Sequence, residues 1–300
     1  MATTIESVAV VPGSLLHHSA RKLADRAIED ALAAASIQPH DVDLLVNAGI
    51  FHDRILGEPA MAALIQEDVG ANPEDPHGEG HGTFSFDIAN GSAGVLSALQ
   101  VADGFLRAGT IRRAVIVAGD ADPGHGMAVD FPHDPVGAAL VCGWGPGDGG
   151  LAGFRWLTVA DAAARRDAVV RLEHGRNQLV VHQDDGFAAE AAACAGKVAA
   201  ELLAEHGLRP DDVAAVAVAP FEEPFIDELV PRLGLAPDRY IRPGSDVRFH
   251  TAGLIAAMSE VDARPPASAG EWVLPVAAGA GIRAGAALRC RGSDQRTNRV

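Results

Sequence analysis

Residues 92–106 read SAGVLSALQVADGFL, and residues 251–258 read TAGLIAAM. Each opens on a hydroxyl residue followed by Ala-Gly and an apolar run. In the first, small and apolar side chains occupy most of a helical circumference. That predicts a helix over 92–108 buried on all sides. The second predicts the same over 251–261. Downstream of them, RRAVIVAGD (112–120) and EWVLPVAAG (271–279) are short apolar runs, as in strands of sheets covered on both faces. Upstream, IQPHDVDLLVNAG (37–49) is matched by LRPDDVAAVAVAP (208–220). The three pairs keep one order, at spacings too long for a solenoid repeat. The chain therefore reads as two similar halves, 1–150 and 151–300.

The rest of the pattern alternates in the same way. SVAVVPG, DVDLLVNAG, TFSFDIA and GAALVCGW are strands of the first half, with helices over 19–36 and 59–69. The second half has helices over 187–205 and 225–233 and a final strand, RAGAALRC. Alternating strands and helices predict an α/β layer architecture. Two buried helices, each covered by sheets, make it a five-layer α-β-α-β-α sandwich. The tail RCRGSDQRTNRV, polar and Arg-rich, is expected to fray.

The chain has 300 residues and is 48% hydrophobic, enough for a large buried core. Its formal net charge of −16 argues against nucleic acid and anionic membrane as partners, since both need basic surface. No apolar run has membrane-spanning length, and MATTIESVAVVPG lacks a signal-type pattern. A soluble, cytoplasmic protein is expected. Cys142, Cys194 and Cys290 are far apart, without disulfide or zinc spacing. Cys142 and Cys194 are expected to be buried as small apolar residues.

Five segments together resemble the ketoacyl-synthase-III branch of the thiolase superfamily. FDIANGSAGVLSAL (86–99) is similar to its nucleophile segment, with Ser92 where the family has cysteine. RRAVIVAGD is similar to the strand after that helix. FPHDPVGAALV (131–141) resembles the Gly-Asp-Gly-Ala segment and keeps Asp134. RFHTAGLIAAM (248–258) stands at the Gly-Asn-Thr segment, with His250 in place of the asparagine. PVAAGAGIRAGAAL (275–288) resembles the C-terminal Gly-rich strand pair beside the oxyanion site. The family's catalytic histidine has Phe221 at its place. The resemblance thus implies the thiolase fold with all three catalytic residue types replaced. The stretch from Gly13 to Ser19 is short where the family carries a longer coenzyme A-binding segment, which implies an altered entry path. GEPAMAALIQ (57–66), with Asn90 in FDIAN, resembles the OleA-type enzymes. Their glutamate here, Glu58, acts as base in the partner's active site. A lipstatin-type heterodimer, one subunit intact and one degenerate, resembles this further.

The residues also have a physical reading. Ser92 at a helix N-terminus is either a cap for an orphan N–H or a nucleophile, which needs an adjacent base. His250, opening the mirrored helix, is either that base or a histidine of a vestigial pocket. Glu58 precedes Pro59, which suits a first helical position. A carboxylate there is favourable beside the helix N-terminus, and in a dry channel it becomes a base for a carbon acid. His133 is expected in a structural turn and Glu222 and Glu223 in a solvated turn. His77 and His81 lie among Gly and Pro, so no metal site is expected.

Two functions follow. The first is a degenerate subunit that pairs with an intact homologue and supplies Glu58 for Claisen condensation of two fatty acyl thioesters. The second is a self-sufficient acyltransferase, a homodimer, using Ser92 with His250 as base. A scaffold without chemistry is a third. No permanently bound cofactor is expected; the substrate would be an acyl-CoA or acyl-carrier-protein thioester.

Overall fold

The alternation of small and branched apolar residues along each strand divides its side chains between two faces, and that division builds the layers. A computed structural model describes residues 1–14, 18–55, 57–72, 82–145, 149–159, 166–173, 175–219, 222–241, 243, 247–266, 270–279, 284–292 and the backbone of 298–299. The first sheet holds β1 (Ala2–Pro12), β2 (Leu44–Asn47), β3 (Phe84–Asp87), β4 (Arg113–Asp120), β5 (Val136–Gly145) and β13 (Asn298–Arg299), in the order β13-β1-β5-β4-β2-β3. The second holds β6 (Gly150–Leu157), β9 (Val213–Ala219), β10 (Tyr240–Ile241), β11 (Glu271–Ala278) and β12 (Ala284–Arg291), in the order β10-β9-β11-β12-β6.

In β4, Val115 and Val117 face outward onto α1 (Ala20–Ala35) and α2 (Met61–Val69). Its Ala114, Ile116 and Ala118 face inward onto α3 (Gly94–Arg107) and α6 (Gly253–Ala263). β9 does the same from the other side. Ala215, Ala217 and Ala219 meet the central helices, and Val216 and Val218 meet α4 (Phe187–Glu205) and α5 (Glu223–Leu233). The expected five-layer α/β sandwich of the thiolase fold is thereby observed.

α6 is apolar all round and buried from Gly253 through Ser259. α3 departs from the expectation: Gln100, Gly104 and Arg107 form an exposed stripe. Gln100 there accepts a hydrogen bond from Trp156 Nε1 at 2.6 Å. The helix starts at Gly94 rather than at Ser92, because Gly91–Ala93 forms a 3-10 turn first. α2 starts at Met61, not at Pro59: Glu58–Pro59 is a cis peptide outside the helix. The first N–H groups of α2, on Met61 and Ala62, are bound instead by the Asp87 carboxylate at 2.9 and 2.8 Å.

Part of the tail is ordered, contrary to expectation: Asn298–Arg299 pairs in parallel with Ser7 and Val8. Cys142 is buried as expected, whereas Cys194 is only half-buried. Among the described residues, no helix is long and apolar enough to cross a membrane.

The sequence pattern gave no warning of residues 150–183. β6 joins the second sheet, and β7 (Arg166–Glu173) with β8 (Arg176–Gln183) forms a separate antiparallel hairpin. The hairpin has no sheet neighbour, so only isolated residues such as Arg166 and Leu179 are buried. Its strands therefore lack the apolar runs of the others.

Candidate functional site

Ser92 lies in the 3-10 turn that leads into α3, 1% exposed. The turn depends on Gly91, whose φ of +50° is in the region that favours glycine. Neither the turn nor α3 has a side-chain cap hydrogen bond, and among the described residues Ser92 Oγ has no hydrogen-bond partner. The cap reading is therefore overturned. A buried hydroxyl without a partner is unfavourable by about 1–3 kcal/mol, which a structural cap would have avoided.

Ser92 and His250 line one cavity of about 190 Å³, with Ile50, Phe51, Arg166 and Gly279 among its other walls. A Cβ built on Gly91 would sit 3.8 Å from His250 Nε2, so that nitrogen is directed at the turn carrying Ser92. Gly279 closes the floor: a Cβ there would lie 2.7 Å from Asn90 O. The hairpin roofs the cavity with Arg166, Asp167, Ala168 and Val181.

His250 is 4% exposed and stacked, at 4.9 Å from the Phe51 ring and 4.5 Å from the His133 ring. Its Nδ1 lies 3.5 Å from Asp120 Oδ2. That is charge contact, longer than a good hydrogen bond. Asp120 is fully buried at the end of β4 and heavily bound. Its Oδ1 accepts the N–H groups of Phe51 at 2.9 Å and Ile50 at 3.2 Å. Its Oδ2 accepts the Thr251 N–H at 2.9 Å and the Thr251 hydroxyl. Burial alone would push the Asp120 carboxyl up. The neighbouring His250 and the donors of Thr251 and Phe51 outweigh it and hold the acid well below the usual carboxylate range. Asp120 is thus an anion, fixed in place, facing one nitrogen of His250 while the other faces the Ser92 turn.

His133 is not a plain turn residue. It is 8% exposed, stacked with Phe51 and His250 and edge-on to Phe131, and among the described residues its Nε2 has no hydrogen-bond partner. Burial, then repulsion from His250, pushes its pKa down from 6.5 to about 3. The unfolded chain binds this proton below about pH 6.5 and the folded chain does not until about pH 3. Stability therefore falls as pH drops through that window, by up to about 1.4 kcal/mol per unit. We expect His133→Asn to flatten the stability–pH curve between pH 6 and 4, read by urea titration at each pH. An unchanged slope would contradict neutral burial.

Asp134, beside it, is outside the cavity. Its carboxylate takes the Arg248 guanidinium at 2.7 Å and the Arg248 N–H at 2.8 Å, which ties the loop before β5 to the loop before α6. Glu223 opens α5, and Glu222 is not simply solvated: it accepts Gln183 Nε2 at 3.0 Å and lies 3.9 Å from Arg166. Glu58 is exposed and lines no part of the Ser92 cavity. Phe221, His77, His81 and residues 280–283 of the Gly-rich strand pair lie outside the described residues. Among the described residues, no group of three or more His, Cys, Asp or Glu is placed to hold a metal ion. A larger surface groove of about 830 Å³, beside Asp211, Arg239 and Trp272, holds no nucleophile–base pair.

Sequence reasoning singled out Ser92 and His250 but not Asp120 or Arg166, which the structure places around them. Asp120 ends a strand that reads as pure core, and Arg166 begins a hairpin that carries no strand pattern.

No family model matches the chain. The chain is 27% identical to the beta-ketoacyl-[acyl-carrier-protein] synthase III of Rhodospirillum rubrum, over 92% of this chain and 87% of that protein. It is 23% identical to the synthase of the same name from Aquifex aeolicus, over 89% and 82%. The crystal structure of 3-oxoacyl-[acyl-carrier-protein] synthase III from Aquifex aeolicus superimposes with a TM-score of 0.80 at 17% identity, covering 96% of this chain and all of that one. A cysteine-to-serine variant of Xanthomonas campestris OleA, solved with lauric acid and lauroyl-CoA, gives 0.79 at 16% identity, covering 97% and 99%.

Proposed function

We propose that this chain, ketoacyl-synthase-III-like and built on the thiolase fold, takes an acyl group from a thioester onto Ser92 with His250 as base. The observation that carries the reading is the buried Ser92 hydroxyl, unpartnered among the described residues, in the cavity it shares with His250. The names of the relatives and the lauroyl-CoA of the OleA variant support an acyl thioester as donor.

The chemistry follows the nucleophile–base–acid logic. Asp120 faces Nδ1, so the neutral imidazole carries its proton there and keeps the Nε2 lone pair for Ser92. Ser92 Oγ attacks the thioester carbonyl carbon and gives its proton to Nε2. The Oγ–C bond forms, then the C–S bond breaks, and His250 returns the proton to the departing thiolate. The products are a serine ester and a free thiol. The N-terminal end of α3, with its partial positive charge, favours the oxyanion of the intermediate. A second nucleophile then attacks the ester carbon and gives its proton to His250; the Oγ–C bond breaks and His250 passes that proton to Ser92 Oγ. The 3.5 Å gap between His250 and Asp120 is of a kind that tightens when substrate is bound.

Intact-mass measurement after incubation with acetyl-, malonyl- and butyryl-CoA tests this. A mass increment matching an acyl group is expected on the wild type and none on Ser92→Ala. No adduct with any thioester, or an undiminished adduct on Ser92→Ala, overturns the reading.

A second reading keeps the chain as the partner of an intact homologue. It is favoured by the position of Glu58, exposed and held at the C-terminal end of β3 through Asp87, which binds the start of α2. β3 is the edge of its sheet and carries the exposed Phe84. A chain docked along that edge would meet Glu58. Under this reading, co-expression with an intact synthase gives a stable heterodimer in which Glu58→Ala stops condensation while the partner is still acylated. Full condensation by that variant excludes it.

A further inference from the structure

Among the described residues, Arg166 is the one arginine or lysine in the wall of the Ser92 cavity. It begins the roofing hairpin, is only 8% exposed, and packs its guanidinium over the Phe187 ring at 5.4 Å. Around it the cavity is mostly apolar, with Ile50, Phe51, Ala89, Ala168 and Val181. A guanidinium placed so deep needs compensation. Its carboxylate neighbour among the described residues is Glu222, at 3.9 Å, beyond hydrogen-bond length. Glu222 is itself 37% exposed and accepts Gln183 as well. Burial lowers the Arg166 pKa, with Glu222 and then Asp120 only opposing it, so the charge is incompletely matched. Asp167, next in the wall, turns toward His182 at 3.5 Å. The cavity is small. At about 30 Å³ per water-sized group, its ≈190 Å³ holds about six such groups. The described walls thus enclose room for a short acyl group.

We infer that the acyl group received at Ser92 is short and ends in a carboxylate, which Arg166 binds inside the cavity. The planar fork of a guanidinium matches a carboxylate bidentately. Ser92 and Arg166 line the same small cavity, so a malonyl or succinyl group taken at Ser92 would carry its carboxylate into the space that Arg166 walls. The apolar remainder of the wall strengthens that pair by excluding water. The inference rests on the proposed acyl transfer only for what happens next, because the binding step needs no chemistry.

The test uses Ser92→Ala protein, which cannot be acylated at this position, and measures binding of malonyl-CoA, acetyl-CoA and butyryl-CoA by calorimetry. Malonyl-CoA is expected to bind at least about tenfold more tightly than butyryl-CoA, which has similar bulk and no charge. In Ser92→Ala/Arg166→Gln the ratio should collapse to about one, and in Ser92→Ala/Arg166→Lys part of it should survive. Equal affinities for malonyl- and butyryl-CoA, or a preference unchanged by Arg166→Gln, overturn the inference. The butyryl comparison decides the matter even if the Arg166 variants do not fold. A malonyl preference alongside a wild type that never forms an adduct would leave the carboxylate site standing and remove the acyl-transfer reading alone.

Discussion

His250→Gln is expected to slow acylation of Ser92 by about a thousandfold, within the usual range for loss of a general base. Glutamine fills much of the space between Phe51 and His133 but cannot take the proton from Oγ. The fold should survive, because among the described residues His250 Nδ1 makes no hydrogen bond that the core would lose. Time-resolved intact mass with a reactive thioester measures the rate. A loss of less than about tenfold would mean that the serine is activated by something else. Asp120→Asn separates orientation from base strength. The amide cannot accept all four of the hydrogen bonds that the carboxylate accepts from Ile50, Phe51 and Thr251. It also cannot favour a cation on His250. The acylation rate constant should fall while the dissociation constant for the thioester stays where it was. A purely structural role for Asp120 would instead weaken both together; some loss of thermal stability is expected either way, because two of those donors lose their acceptor.

Asp262→Ala is expected to destabilise the protein by about 3–5 kcal/mol, a large part of the stability of an ordinary domain. Asp262, near the end of α6, has its carboxylate 3% exposed and binds Arg289 NH1 of β12 at 2.8 and 3.0 Å. Arg289 is 1% exposed and is the largest fully buried side chain. Among the described residues its Nε and the other terminal nitrogen have no hydrogen-bond partner, so the cation depends on Asp262. Arg291 extends the network, 3.8 Å from Asp262 and 2.5 Å from Glu271, with a further bond to Arg264 O. Removing the aspartate leaves two buried guanidinium groups to one remaining carboxylate. Urea unfolding of the variant measures the loss. A change below about 1 kcal/mol would show that the interior there is wetter than the side-chain burial indicates. Arg289→Met with Asp262→Leu should recover much of the loss, since an apolar pair of similar volume often replaces a buried ion pair without penalty.

The layers were legible because each strand's burial is written in its own few residues. VAVV, LLV, AVIV and AVAV are strands wherever they sit, and the chain buries both faces of them. The helix over 253–263 was legible for the same reason, being apolar all round from Gly253 through Met258. The hairpin at 166–183 was not, because strands outside the two sheets, buried only at isolated residues, need no apolar period. Nor was the exposed stripe of α3, since Gln100, Gly104 and Arg107 are too few to break an otherwise apolar pattern. The start of α2 was misread at Glu58-Pro59 because its cap, Asp87, comes from another strand 26 residues away from Met61.

By itself, then, the sequence determined the two sheets, the two central helices and the presence of Ser92 and His250 at the heads of matched segments. Those features depend on local periodicity and on residue identity. Tertiary structure alone decided what the two side chains do. It left Ser92 without a hydrogen-bond partner among the described residues, put a cavity between it and His250, and brought Asp120 to a segment 131 residues away in the chain. It also lowered the Arg166 hairpin over the opening. The reason is physical: a strand or helix is selected by neighbours a few residues off. A buried charge, a proton acceptor and a cavity exist only where remote segments are packed against one another.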